Sequence, residues 1–414
     1  MLLPAREAAD RLGVKIDTLY AYVSRGLLRS MEVAGSRERH YDADEIESFR
    51  SGRGTTRARP PAEDLIPIIG SAICLIEEGR LYYRGRDALA LAETATLEEA
   101  AAILWQDEVG AAQAPTRPLR GHPPPLAGEG NRSRPPLDDS LPRKRGRVGV
   151  GVMGVIERAQ MRLAELSAAD HAALDLTKTG VVRTGRVILG ELAGCVAGSQ
   201  PSSIPVHQQL AAAWRLDRAG ADLVRRALVL LADHELNAST FVARCIASTG
   251  ATPYAAVSGA LGALSGWRHG GASSRVEALF RELGDSAEPQ PIMAARLQRG
   301  EALPGLGQPL YPQGDPRALA IIDALITARP KAGGRVAKAA VAAMELTGQA
   351  PNVDFALGAA TTALGLEPGA ALAIFLVARS VGWIAHAREQ YETGVLIRPR
   401  ARYIGQRHRP ALAE

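Results

Sequence analysis

Cysteine is nearly absent from the 414 residues. Cys74, Cys195 and Cys245 are too few for a disulfide scaffold, and none pair at the C-x-x-C spacing of a zinc site. Aromatic residues make up only 4%, so the core must be built from Ala, Leu, Val and Ile, and close-packed Ala over long stretches means helices. Apolar runs long enough to span a bilayer are missing: the longest, near 221–232 and 369–378, are short or interrupted by charge. The opening segment carries Arg6, Glu7, Asp10 and Arg11 where a signal peptide needs an apolar centre, so cytoplasm is the expected location. Strong charge of one sign is lacking too. A net +5 excludes a uniformly basic nucleic-acid coat, though not a small binding module. What remains, 46% apolar and 22% charged, excludes wholesale disorder.

The chain divides unequally. Residues 1–52 read as a compact unit: a helix from Pro4 to a turn at Gly13, then a second helix with Ile16, Leu19, Tyr20 and Val23 on its apolar side. A strand, turn and strand follow, and then a short helix capped by Asp42. Residues 53–65 form a linker. The body, 66–414, opens with a β-like stretch to about residue 83. A helix follows with Thr96 and Glu99 at capping-box spacing. A segment at about 115–147, with eight prolines and eight Arg or Lys against three acidic residues, interrupts this body. It reads as a solvated extended insertion or as a contact for DNA or an acidic partner. From 149 to 390 the spacing is helical almost throughout, so the fold class is mainly α.

Two helices about a glycine, followed by a hairpin, is the order of a winged helix-turn-helix. The second helix would then present Lys15, Thr18, Tyr22 and Arg25 to a major groove, with Arg37 and Arg39 on the hairpin near phosphates. Residues 1–59 hold eleven basic and nine acidic residues, so such a module would bind DNA weakly unless dimerised. An assembly or regulatory module is the other reading. The segments AREAADRLGVKIDTLYAYVSRGLL and SRERHYDADEIESF resemble the N-terminal domain of MerR-type and excisionase-type proteins. The Leu-Gly-Val turn and the Tyr-x-x-x-Asp/Glu-Ile after the hairpin carry that likeness.

In the body, polar residues gather where apolar helix is expected. His234 lies between Asp233 and Glu235, with Asn237, Ser239 and Thr240 after it, too polar a cluster to bury without use; a core or capping histidine is the alternative. His269 precedes Gly270 and Gly271, which permit close approach to the backbone, and the helix beyond them offers free N–H groups to an anion. Asp354 stands alone in an apolar helical setting, where an unpaired carboxylate gains basicity. Arg317, Arg379 and Arg398 recur beside these groups and suggest a polyanionic substrate or the phosphates of a cofactor.

The strings DHELNASTF, HGGA, GLGQPLYPQGDPRA, NVDF, FLVARSVGWIAH and RPRARYIG, in that order, resemble the citrate synthase family, as does GRLYYRGRDALALAETATLEEAAAILW. The likeness covers about residues 66–410. It implies large and small helical domains closing over the substrates and a homodimer in which both subunits complete each site. No bound cofactor is implied; acetyl-CoA enters as substrate and condenses with oxaloacetate to give citrate and CoA. By the same likeness His234 binds oxaloacetate, His269 steadies the enol of acetyl-CoA, and Asp354 takes the methyl proton. Arg317, Arg379 and Arg398 would bind carboxylates, the last in the neighbouring subunit's site. A 2-methylcitrate-type acyl chain fits equally, since no residue decides it.

Two positions depart from the family. Gln308 stands where the family has a histidine that hydrogen-bonds the oxaloacetate carbonyl and supplies its proton. An amide can donate a hydrogen bond but not a proton. Ser273 stands where the family often has Asn. The rival expectations are therefore a DNA-binding regulator whose body senses oxaloacetate, citrate or a CoA ester, and a silent partner subunit.

Overall fold

Alanine and leucine at helical spacing build most of the structure, a computed structural model that describes residues 2–14, 16–24, 28, 30–32, 39–43, 46–47, 69–107 and 150–401. Lys15, Arg25, Arg37, the linker 53–65 and the 115–147 insertion lie outside the described residues. Contacts divide the chain into two units, 1–70 and 71–414.

The first unit contains β1 (Leu2–Pro4), α1 (Ala5–Leu12), α2 (Ile16–Ser24), β2 (Met31–Glu32) and β3 (Arg39–Asp42). Strand β3 lies between the other two, antiparallel to both, with Leu3 opposite Tyr41 and Met31 opposite His40. The strand-turn-strand read from the sequence thus gains a third strand, β1. Leu3, Ala8, Ala9, Leu19, Leu28, Tyr41 and Ile46 form a small core. The apolar face of α2 holds Ile16, Leu19 and Val23 as read, with Tyr22 in place of Tyr20. Tyr22 packs inward with Leu19 and Val23, at helical spacing of three and four, while Tyr20 is 47% exposed.

The second unit opens with β4 (Cys74–Glu77), β5 (Arg80–Tyr83) and β6 (Arg86–Asp87), an antiparallel sheet in that order. Glu78 and Gly79 both have positive φ (50° and 73°), the two-residue turn that suits the twist of a hairpin. Helices follow: α3 (Ala88–Thr94), α4 (Leu97–Leu104), α5 (Val150–Ala169), α6 (Lys178–Ala197), α7 (Val206–Ala213), α8 (Arg218–Leu231) and α9 (Ala238–Ala247). Then come α10 (Pro253–Leu264), α11 (Gly271–Leu283), α12 (Pro289–Gln298), α13 (Pro316–Ala328), α14 (Pro330–Thr347), α15 (Val353–Ala363) and α16 (Ala370–Thr393). The Thr96–Glu99 capping box forms in both directions, with bonds of 3.3 and 2.7 Å.

Helix α16 is the axis of this body, packing against α4, α5, α6, α8, α9, α10, α11 and α15. Among the described residues it is the one helix long and apolar enough to cross a bilayer, and that apolar window is entirely buried in protein. The apolar stretch seen near 369–378 is therefore its first half, and Arg379 falls inside a core helix rather than at its end. Buried Leu376 and Trp383 each contribute roughly 2–3 kcal/mol by leaving water. The start of α16 is held by Glu277 of α11, whose carboxylate accepts from Gly369 N–H (2.8 Å) and Ala371 N–H (3.0 Å).

Candidate active site

The segment that leaves α8 carries His234, and it is clamped from two sides. On one side the Tyr83 hydroxyl, at the end of β5, donates to the Val229 carbonyl at 2.9 Å and lies 3.3 Å from the Asp233 N–H. On the other, α16 meets it in register: Arg379 Nε donates to the Leu231 carbonyl (2.8 Å) and Gly382 N–H to the Ala232 carbonyl (3.0 Å). Gly382 is needed there, because a Cβ would lie 2.3 Å from Asp233 Oδ1 and 2.6 Å from the Ala232 carbonyl. The chain then turns through Glu235 in the left-handed region, φ 51°, a strained conformation that tertiary contacts must hold. His234 emerges buried, with Nε2 3.2 Å from the Tyr311 hydroxyl. Burial, then the charges of Arg317 and Arg379, push its pKa well below the ordinary value, so the ring is neutral.

His269 lies just before α11. Its neighbour Gly270 sits where a Cβ would meet the Leu264 carbonyl at 2.5 Å and Leu372 Cδ1 at 2.6 Å. Of the two glycines only this first one is demanded by close approach; Gly271 has ordinary clearance. His269 Nε2 is 2.7 Å from Ser239 Oγ, and Trp383 Nε1–H donates to the same oxygen at 3.1 Å. The Ser239 hydroxyl donates at 2.9 Å to Asn237 Oδ1, which also caps α9 by accepting from the Thr240 N–H. The imidazole also meets the edge of Phe375, centroids 5.8 Å apart. Burial, then Arg379, lower its pKa to about 4, and at neutral pH it is uncharged.

Asp354 occupies the first turn of α15, capped by Asn352, whose side-chain oxygen accepts from Asp354 N–H (3.0 Å) and Phe355 N–H (3.3 Å). Ser273 of α11 donates to its Oδ1. Burial raises the Asp354 pKa, and the Ser273 bond and the charges of Arg317 and Arg379 only partly oppose this. Arg317 is itself paired with Asp315. Its Nε and Nη2 donate to Asp315 at 2.9 and 2.7 Å, and Asp315 also accepts from Val353 N–H at 3.0 Å. Burial works against the Arg317 charge, but Asp315 outweighs it and the pKa ends raised.

Arg379 is the common neighbour of these groups. It is buried over the Phe375 ring at 4.7 Å, and its charge acts on His234, His269 and Asp354. Its Nη1 is buried without a hydrogen-bond partner. A fixed guanidinium with an unsatisfied donor is suited to receive an anion.

The loop 305–308 is tied to the entry of α15 by Gly307 N–H to Ala350 O (2.8 Å), Asn352 N–H to Gly305 O (2.8 Å) and Asn352 Nδ2 to Gly307 O (3.0 Å). Gln308 therefore sits at a fixed place relative to Asp354; its side chain is half-buried, with one long contact from Leu310 N–H at 3.5 Å. Arg398 is not brought to these residues within the chain: it follows α16 and is exposed. In the first unit Thr18 is half-buried and Arg39, exposed, donates to Ser30 Oγ. Tyr22 is directed largely into the small core instead of outward. Ser239, read in the sequence only as part of the polar cluster after His234, gains a specific partner in His269. Tyr311 and Trp383 join the site without having been singled out; their signal was position inside the motif strings, Trp383 one helical turn after Arg379. Among the described residues no group of three or more His, Cys, Asp or Glu could hold a metal.

Residues 65–400 match the family model "Citrate synthase, C-terminal domain", and residues 3–53 match "MerR HTH family regulatory protein". Similar sequences include the citrate synthase of Haloferax volcanii, 42% identical over 194 residues (45% of this chain, 51% of the relative). A 2-methylcitrate synthase of Mycobacterium tuberculosis is 37% identical over 189 residues (44% and 48%). These matches span about half the length of the curated relatives. The crystal structure of citrate synthase from Thermotoga maritima superimposes with a TM-score of 0.62 at 26% identity, covering 84% of this chain and 96% of that one. A citrate synthase from Thermoplasma acidophilum, in ternary complex with carboxymethyl coenzyme A and oxaloacetate, shares the fold, with a TM-score of 0.65 at 22% identity over 85% and 98% of the chains. With four fifths of its length matched by the family model and this helical fold around its buried His, Asp and Arg, the chain belongs to the citrate synthase family.

Proposed function

We propose that the chain condenses acetyl-CoA with oxaloacetate to give citrate and CoA. The observation that carries this is a carboxyl of raised pKa, Asp354, and a neutral imidazole, His269, both under the field of one arginine, Arg379. Removing a proton from a thioester methyl group needs a strong carboxylate base and a donor for the oxygen that gains charge. Asp354 takes the proton. A neutral His269 carries one ring proton and supplies that donor, held in place through the contact of its Nε2 with Ser239, whose oxygen also accepts from Trp383. The enol carbon then attacks the oxaloacetate carbonyl carbon, and water cleaves the resulting thioester to release the CoA thiol. His234, Arg317 and Arg379 hold the dicarboxylate, and Arg398 comes from a second copy in a homodimer. Gln308 polarises the carbonyl by hydrogen bonding while water supplies the proton, so turnover is slow. The test is thiol release from acetyl-CoA, with propionyl-CoA alongside, in the presence of oxaloacetate. Loss of at least 10²-fold in Asp354→Ala is expected; unchanged turnover in that variant would refute the mechanism.

The match of residues 3–53 favours a second reading, in which a winged helix-turn-helix front binds DNA and the body senses oxaloacetate, citrate or a CoA ester. It predicts ligand binding without turnover, and a gel shift of DNA from the gene's upstream region that weakens steeply with salt. Turnover, with no shift on any sequence at low salt, would dismiss it.

A further inference from the structure

Beyond the groups that would touch substrate, a row of buried ionisable side chains runs along α16 away from the site. Glu389 Oε2 pairs with Arg244 Nη1 at 2.6 Å, and Arg244 Nε donates to Gln390 Oε1 at 2.7 Å. Arg244 Nη1 lies 3.3 Å from His386 Nδ1, and His386 Nε2 lies 3.4 Å from Asp233. Arg244, His386 and Asp233 are at most 1% exposed. The other end of the row is anchored where Glu389 Oε1 accepts from Ala72 N–H at 2.8 Å.

The chemistry of the row fixes its protons. A guanidinium only donates, so the His386 nitrogen facing Arg244 must offer its lone pair. The ring proton therefore sits on Nε2, aimed at Asp233. A second proton on Nδ1 would place cation against cation. Among the described residues His386 is the side chain that offers Asp233 a donor, and Asp233 Oδ1 otherwise lacks a hydrogen bond. Asp233 matters because of its backbone. Residues 231–234 supply the carbonyl that fixes Arg379, the carbonyl that holds Gly382, and the His234 ring itself. A buried carboxylate stripped of its donor would pull this segment off α16.

We infer that His386, held in its Nε2–H form by Arg244, is a positioning residue that fixes Asp233 and through it the dicarboxylate-binding pair His234 and Arg379. This rests on the reading of those two residues given above. It assigns His386 chiefly to one substrate: the dicarboxylate half of the site is carried by the segment 231–234 that His386 fixes, whereas His269 and Asp354 of the thioester half are positioned by α11 and α15 and feel Arg379 only through its charge.

Two variants separate this from a packing role. In His386→Gln the amide nitrogen falls near the position of Nε2 and keeps a donor for Asp233. In His386→Asn the side chain reaches only the Nδ1 position and the donor is lost. Calorimetric titration with oxaloacetate should give a dissociation constant about tenfold weaker for His386→Asn, and within about threefold of the parent for His386→Gln. The KM for oxaloacetate should follow, while the KM for acetyl-CoA stays unchanged. Equal weakening in both variants, or a parallel rise in both KM values, would overturn the inference in favour of simple packing. Folded variants that bind as tightly as the parent would overturn it outright. Should neither variant fold, Glu389→Gln at the accessible end of the row is the substitute. A weakening of about threefold supports the proposal and none opposes it. Parent protein that binds no oxaloacetate would remove the underlying reading of His234 and Arg379 instead, an outcome separate from any difference among the variants.

Discussion

Ser273 donates a hydrogen bond from the first turn of α11 to Asp354 in the first turn of α15. The bond favours the charged carboxylate and works against the burial that raises its pKa. Ser273→Ala removes it, so the Asp354 pKa should rise further. The acid limb of the kcat/KM profile should move to higher pH by about 1–2 units, the value of a hydrogen bond to a charged group. A pH series of thiol release on the two proteins reads this directly. A limb that stays in place would mean that Asp354 is not the group titrating.

The chain from Trp383 through Ser239 to His269 holds the imidazole in place. Ser239→Ala leaves Nε2 without its hydrogen-bond partner and frees the ring to turn. Turnover should fall about 10- to 100-fold with the KM for oxaloacetate nearly unchanged, because the interaction matters most as charge develops on the thioester oxygen. Trp383→Phe, which keeps the serine, should cost less than Ser239→Ala.

How much of this was legible beforehand depends on what each residue needs from its neighbours. The five polar anchors, His234, His269, Arg317, Asp354 and Arg379, stood out because charge in an apolar helical stretch is costly unless used. Helical content was legible in the alanine spacing, and the Thr96–Glu99 cap in four residues. Trp383 and Tyr311 were not legible, since an aromatic in a helical body reads as core until its polar tip is seen to meet Ser239 or His234. Strand β1 was missed because three residues ending in proline carry no period. Which tyrosine of α2 faces inward was misread because Tyr20 and Tyr22 suit either face, and only packing on Leu19 decides between them.

Both histidines at the site are neutral in the folded protein, which gives stability a definite pH dependence. His269 titrates at about 4 when folded and at about 6.5 when unfolded. Between these values the unfolded chain is protonated and the folded one is not. Stability is therefore full above pH ~6.5, declines as pH falls, and levels off below about 4. The shift corresponds to about 3 kcal/mol from this residue. Urea unfolding at pH 7 and pH 4.5 should show a smaller difference in His269→Gln than in the parent. Equal differences would place the proton uptake elsewhere.

Asp315 satisfies two elements at once, the guanidinium of Arg317 and the N–H of Val353 at the head of α15. Asp315→Asn leaves a buried cation without its counter-charge, which costs about 3–5 kcal/mol. The loss should appear in urea unfolding at neutral pH as a lower midpoint. It should also loosen α15, so binding of oxaloacetate weakens along with stability. The double variant Asp315→Asn with Arg317→Met, which removes both charges, should be milder in stability than Asp315→Asn alone while losing the dicarboxylate just as fully. Equal destabilisation by both would show that packing, not charge pairing, holds this corner.

Gln308 occupies a loop whose backbone is bonded at three points to the segment leading into Asp354, so a side chain at this position is registered against the proposed base. The amide has a single long contact within the loop and is half-buried, which leaves room and hydrogen-bonding freedom for an imidazole. Gln308→His adds a group that can protonate the oxaloacetate oxygen as the carbon–carbon bond forms, a step the amide can only assist by polarisation. If the rest of the site is competent, kcat should rise at least tenfold and toward the roughly 10²-fold that general acid help supplies. The rise should be largest below the pKa of the new histidine and fade above it, since the protonated imidazole is the acid. Thiol release followed across pH 5.5–8.5 measures both features. A variant that binds oxaloacetate as the parent does yet gains no rate at any pH would show that proton delivery is not the slow step. The second reading, a body that binds ligand without turning it over, would then gain over catalysis.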